Sequence, residues 1–245
     1  QLNPNFAMKY SNLGIILKDL GKLKEAELAH RKAIELKPDL AEAHSNLGNI
    51  LKDLGKLQDA ELAHRKAIEL KPDLAEAYSN LGGLLIDLGK LQDAELATRK
   101  AIELNPNCAM AYSNLGNIFE ELGKHNESAK CWIKSIELNP VDKKPLIALA
   151  HNLCCKKNYD LALKYLSKNN SHECQSLYLG CLLSLDKEKE FHEKYFELSK
   201  KKVCNADIGG IVEHANIIYG NKYESPFCNE GIKYVFIDKI NEESF

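Results

Sequence analysis

The sequence predicts an all-α protein, a right-handed α-α superhelix of stacked helix pairs that ends in a short irregular or strand-like C-terminal tail. Three observations carry this reading. The tripeptide Asn-Leu-Gly begins at Asn12, Asn46, Asn80 and Asn114, each step being 34 residues. Two punctuation series keep the same step: Gly21, Gly55, Gly89 and Gly123, then Pro38, Pro72, Pro106 and Pro140. Between these marks the apolar residues recur at helical spacing. A fixed period of this size is the signature of a solenoid, in which each unit buries its apolar face only against its neighbours.

Each period reads as two helices. In the second period, the first helix runs from Ala41 to about Leu54, with Ala43, Leu47, Ile50, Leu51 and Leu54 on one face. Gly55 follows, a residue that takes the left-handed conformation without steric penalty. The second helix runs from about Leu57 to Leu70, burying Ala60, Ala63, Ala67, Ile68 and Leu70. Pro72 ends it, since proline restricts the residue before it and has no amide donor. A glycine inside the first helix costs about 1 kcal/mol against alanine, so Gly48 implies close approach of the two helices. Ala60 is its expected small partner, and the same pairing is expected of Gly14 with Ala26, Gly82 with Ala94 and, in the fourth repeat, Ser128. Four regular repeats result, 7–40, 41–74, 75–108 and 109–142, making residues 1–142 one region.

Residues 143–219 read as divergent helix pairs. Leu149-Ala150 replaces Leu-Gly in a fifth pair over 143–167, and a sixth follows near 173–184 and 187–201. A last helix over 208–219 is expected to cap the stack. Residues 220–245 read as a linker, then the start of a following domain, with Tyr234, Val235, Phe236 and Ile237 as a strand. Leu2-Asn3-Pro4-Asn5 copies Leu104-Asn105-Pro106-Asn107, a repeat end. The expectation is therefore a piece of a longer chain, cut at both ends.

Period, Leu-Gly pair, small residue and terminal proline together resemble the tetratricopeptide repeat (TPR) over 7–142. The usual first-helix aromatic stands as Tyr10, Tyr78 and Tyr112, with His44 in the second repeat; the second-helix aromatic is replaced by His30, His64 and Thr98 and returns as Trp132. The repeats are also similar to the superhelical domain of the O-linked N-acetylglucosamine transferases, which carries asparagines where this chain has Asn12, Asn46, Asn80 and Asn114. The resemblance implies a concave groove lined by first helices.

A carboxamide offers one acceptor and two donors, matching the groups of a peptide bond. A ladder of four is therefore expected to hold an extended chain by its backbone, at about 0.5–1.5 kcal/mol per bond and roughly micromolar strength or weaker. The alternative is that the amides bond neighbouring helices and set the pitch of the superhelix; the two roles are compatible. The expected groove set is Asn12, Asn46, Asn80, Asn114, Asn49, Asn117, Ser45, Ser79, Lys18 and Lys52. TPR domains that clamp a C-terminal carboxylate carry lysine where this chain has Ser11, Ser45, Ser79 and Ser113, so chaperone tails are not the expected ligand.

Composition bounds the rest. A net charge of -2 with 44% apolar and 28% charged residues gives no electrostatic reason to expect nucleic acid or a membrane surface. No apolar run approaches the ~18 residues of a spanning helix. The eight cysteines form no Cys-x-x-Cys pair, which reads as reduced thiols in a cytoplasmic protein. Cys154, Cys155, Cys174 and Cys181 are the one group that zinc would suit, but adjacent cysteines on a helix point about 100° apart and small buried side chains are the expected role. His30 and His64 repeat at 34 and read as packing residues. No phosphate loop, His-Glu-x-x-His or nucleophile elbow occurs, so neither a catalytic site nor a cofactor or metal is expected. The leading function is a non-catalytic scaffold for a protein or extended peptide. The second is an accessory, substrate-recognising region of a larger enzyme, a glycosyltransferase or an iron- and 2-oxoglutarate-dependent oxygenase. The third is an array that self-associates through its repeat ends.

Overall fold

A computed structural model of the chain describes residues 4–200 and 206–220. The expected strand at 234–237 and the linker beyond Gly220 lie outside the described residues. The chain divides into two compact units, Gln1–Asn139 and Pro140–Phe245.

Unit one is a solenoid of four helix pairs: α1 (Pro4–Asp19) with α2 (Leu23–Leu36), α3 (Ala41–Asp53) with α4 (Leu57–Leu70), α5 (Ala75–Asp87) with α6 (Leu91–Leu104), and α7 (Ala109–Glu121) with α8 (His125–Leu138). Every described helix in unit one after α1 begins without a side-chain cap, so packing rather than local capping fixes where each one starts. The turns inside the pairs are set by glycine. Gly55 sits at φ 76°, its N–H donates to Lys52 O at 2.9 Å, and the Lys56 N–H donates to Leu51 O at 2.8 Å. This is the Schellman closure of a helix.

The core passes from repeat to repeat. Leu47, Leu51, Ala60, Ala63 and Leu84 form one buried cluster against Ile34, and Leu81, Leu85, Ala94, Ala97 and Ile118 form its counterpart against Ile68. Each cluster draws on three successive repeats, so no repeat completes its core alone. The intrahelical glycines do not face the expected alanines. A side-chain carbon at Gly14 would lie 2.5 Å from the His30 ring, one at Gly48 2.6 Å from His64, and one at Gly116 2.5 Å from Trp132. At Gly82 it would collide with Thr98 Oγ1, with the Ala94 carbonyl 3.5 Å away. The glycine makes room for the side chain at the second-helix aromatic position, four residues beyond the alanine.

Unit two holds α9 (Lys143–Cys155), α10 (Tyr159–Leu166), α11 (His172–Ser184), α12 (Glu188–Lys200) and α13 (Ala206–Tyr219). Its first-helix turns have the same closure without glycine: Lys157 stands at φ 57° and Asp186 at φ 54°. The Asn158 N–H donates to Leu153 O at 2.9 Å and the Lys187 N–H to Leu182 O at 3.0 Å. Side-chain caps appear here, Asp142 accepting from the Lys144 N–H and Ser171 from the Cys174 N–H. α13 packs on α11, and Tyr219 meets the buried Phe191 ring edge-on at 6.2 Å.

Candidate functional site

The first helices of unit one, α1, α3, α5 and α7, touch one another in series and carry all ten expected groove residues. Two asparagines reach back across a repeat joint. Asn80 Nδ2 donates to Ser45 Oγ at 3.3 Å, and Asn114 Nδ2 donates to the Ser79 carbonyl at 2.9 Å. Gly83 leaves space for the Asn114 amide, which a side-chain carbon there would approach at 3.3 Å. Each of these amides keeps its oxygen and one N–H uncommitted. Asn12 is exposed and Asn46 half-buried, and no hydrogen bond engages either side chain among the described residues.

The other six divide by burial and pairing. Ser45 and Ser79, expected on the groove, lie inside the repeat joints at 2% and 0% exposure; they brace asparagines and have no open surface to offer a peptide. Asn49 is half-buried, while Asn117 is exposed with its Oδ1 accepting from Trp132 Nε1 at 3.0 Å. Lys18 pairs with Asp53 at 3.3 Å and Lys52 with Asp87 at 2.7 Å, each across a joint. Such exposed pairs add little stability, but they neutralise this face over the first three repeats.

A feature missed in the sequence lies along the second helices. Leu28, Leu62 and Leu96 are 68%, 67% and 69% exposed. The latter two wall equivalent clefts of about 600 Å³ beside His44 and about 460 Å³ beside Tyr78. The signal was present as Ala-Glu-Leu-Ala at 26–29, 60–63 and 94–97. Ion pairs stitch the same surface: Glu27 joins Arg31 and Lys56, and Glu61 joins Arg65 and Lys90. The hydrogen bond from each lysine holds its carboxyl below the usual range, against an opposing effect of burial.

His30 and His64 are 1% and 0% exposed. Burial, reinforced by Lys18 and Lys52 respectively, lowers each imidazole from 6.5 to about 4. His30 Nδ1 and both nitrogens of His64 are buried with no hydrogen-bond partner, so a doubly protonated form of either ring would leave at least one N–H unpaired. Of the four cysteines in unit two considered for zinc, Cys154 and Cys181 meet, their sulfurs 3.4 Å apart. Among the described residues no three His, Cys, Asp or Glu side chains gather as a metal would need. No described helix is long and apolar enough to cross a membrane.

Helix pairs of fixed period, joined through a shared core, define the class of helical-repeat proteins. The family models agree: one described as TPR repeat matches 14–55, and one described as tetratricopeptide repeat matches 41–74, 75–108 and 109–142. The chain belongs to the tetratricopeptide-repeat family. No curated protein matches the sequence. Among solved structures, pilF of Pseudomonas aeruginosa is similar at TM-score 0.69 and 19% identity, covering 86% of this chain and 98% of its own. MamA is similar at TM-score 0.53 and 26% identity, covering 72% and 96%. YrrB, described as a TPR protein with an unusual peptide-binding site, is similar at TM-score 0.51 and 23% identity, covering 75% and 92%. These matches establish the repeat fold; the likeness to the O-linked N-acetylglucosamine transferases continues to rest on the asparagines alone.

Proposed function

We propose that the chain is a non-catalytic scaffold that holds an extended peptide along α1, α3, α5 and α7, through the amides of Asn12, Asn46, Asn80 and Asn114. The observation that carries the reading is the division of labour within the ladder. Asn80 and Asn114 each spend one donor on the preceding repeat and keep an acceptor and a donor, while Asn12 and Asn46 keep all three. A row of unspent amides, with the nearby charges already paired, suits backbone groups better than a charged side chain. Ser45 and Ser79 act behind the row as supports. YrrB, which shares the fold, has a peptide-binding site of its own; that likeness is one of fold only.

The division separates recognition from stability. Asn12→Ala with Asn46→Ala removes two unspent amides and no bond within the protein. Asn80→Ala with Asn114→Ala removes two inter-repeat bonds, about 0.5–1.5 kcal/mol each. Binding to an extended-peptide library is measured beside thermal melting. The expected result for the Asn12/Asn46 variant is loss of binding with an unchanged melt. Undiminished binding by that variant sinks the proposal.

A further inference from the structure

α9 and α11 bring together two thiols that lie 27 positions apart in the chain. Cys154 Sγ and Cys181 Sγ are 3.4 Å apart, against about 2.05 Å in a disulfide. Closing that gap asks each side chain to move by under about 1 Å. The two helices are in direct contact, so the sulfurs are held near each other by packed backbone on both sides. The environments differ. Cys181 is 1% exposed, whereas Cys154 is half-buried and reachable from solvent.

We propose that Cys154 and Cys181 form a site of reversible thiol–disulfide exchange, taking a low-molecular-weight disulfide such as oxidised glutathione as its co-reactant. Cys154 attacks and Cys181 resolves. The Cys154 thiol releases its proton to water, and its thiolate attacks one sulfur of the glutathione disulfide. That S–S bond breaks, and one glutathione leaves as a thiolate and is protonated. Cys181 then gives up its proton and attacks the Cys154 sulfur, and the second glutathione leaves. Two protein thiols are oxidised to one disulfide, and one glutathione disulfide is reduced to two thiols. The order follows from contact and burial. Contact with Cys181 holds the Cys154 thiol below its ordinary range, while the same contact and burial push Cys181 up. Thiolate therefore forms first on the sulfur that solvent reaches. Neighbouring Cys155 is exposed but about 100° around the helix, and Cys174 is buried elsewhere on α11.

The bond would tie α9 to α11 around α10, restricting the unfolded chain more than the folded one. The full chain is equilibrated in glutathione buffers from reducing to oxidising, quenched in acid, alkylated, and mapped by mass spectrometry with limited proteolysis alongside. Cys154 and Cys155 share a proteolytic peptide, as do Cys174 and Cys181, so Cys155→Ser and Cys174→Ser variants separate the assignments. The expected result is a crosslink between the two peptides in wild type and in both of those variants. Unit two then resists proteolysis several-fold longer, and reductant reverses the effect. Cys181→Ser is expected to stop at a glutathione adduct on Cys154. A wild-type product that stops at an adduct, or a crosslink lost with Cys155 or Cys174, overturns the proposal. Where a serine variant fails to fold, fragment-ion spectra of the wild-type crosslink decide instead, by placing the bond at Cys154–Cys181 or at Cys155 or Cys174 within the two peptides.

Discussion

The two buried histidines make the first half of the array sensitive to acid. His30 and His64 fill the slots opposite Gly14 and Gly48, with almost no exposure and with buried ring nitrogens that a charged ring would leave unpaired. Their folded values near 4 lie below the ordinary 6.5. The unfolded chain therefore binds more protons, and stability is full above 6.5 and drains as pH falls from there toward 4. Integrating over one such group gives a loss of about 2 kcal/mol between pH ~7 and pH ~5, or about 4 kcal/mol for both. Carboxylates such as Glu27 and Glu61, whose values are lowered in the fold, contribute mainly below the carboxyl value of 4.5. The third repeat supplies the control, because Thr98 occupies the same slot against Gly82. In the His30→Thr, His64→Thr double variant the loss between pH ~7 and pH ~5 should shrink to under ~1 kcal/mol. A repeat array opens locally, so the assay is amide hydrogen exchange at both pH values, read separately in α1–α4 and α5–α8. Wild type should lose protection in α1–α4 selectively. A double variant with the wild-type pH slope, or equal losses in both halves, would refute the reasoning.

Two further outcomes follow from the backbone and the glycine slots. Lys157→Gly and Asp186→Gly should each raise the stability of unit two by about 0.5–1 kcal/mol in urea unfolding, since both residues hold left-handed dihedrals that glycine adopts freely. Gly48→Ala should cost about 1–3 kcal/mol despite alanine's better helix propensity, because its methyl would enter the His64 ring. The melting temperature measures this, and His64→Ala in the same chain should restore most of the loss.

The repeat fold was legible because one solution is written four times. Gly21, Gly55, Gly89 and Gly123 all stand at positive φ, and each Asn-Leu-Gly falls on a first helix. Unit two uses the same turn with Lys157 and Asp186 at the glycine position. No residue-type signal marks those turns, so its helices had to be read from apolar spacing alone. The glycine partners differ from the expected ones for a related reason. Spacing along one helix shows that a slot exists, but not which side chain of the facing helix fills it. Ala26 and His30 are one turn apart on the same face of α2, and the structure puts the ring, not the methyl, against Gly14.

The site was legible in its residue types and hidden in its bonding. Identity at positions 12, 46, 80 and 114 announces a ladder, but a periodic sequence cannot reveal where the period's bonds change. Asn80 meets a hydroxyl, Asn114 a backbone carbonyl, and Asn46 neither, although all three begin the same tripeptide. Local differences decide this: Gly83 opens space for Asn114, whereas Asn117 fills the corresponding place in the next repeat and turns to Trp132. The near-identical first and second repeats are therefore where the amides are least committed to the fold. If the face binds a peptide, affinity should depend most on α1 and α3, and stability most on α5 and α7. That contrast would be invisible if all four asparagines served the superhelix alone.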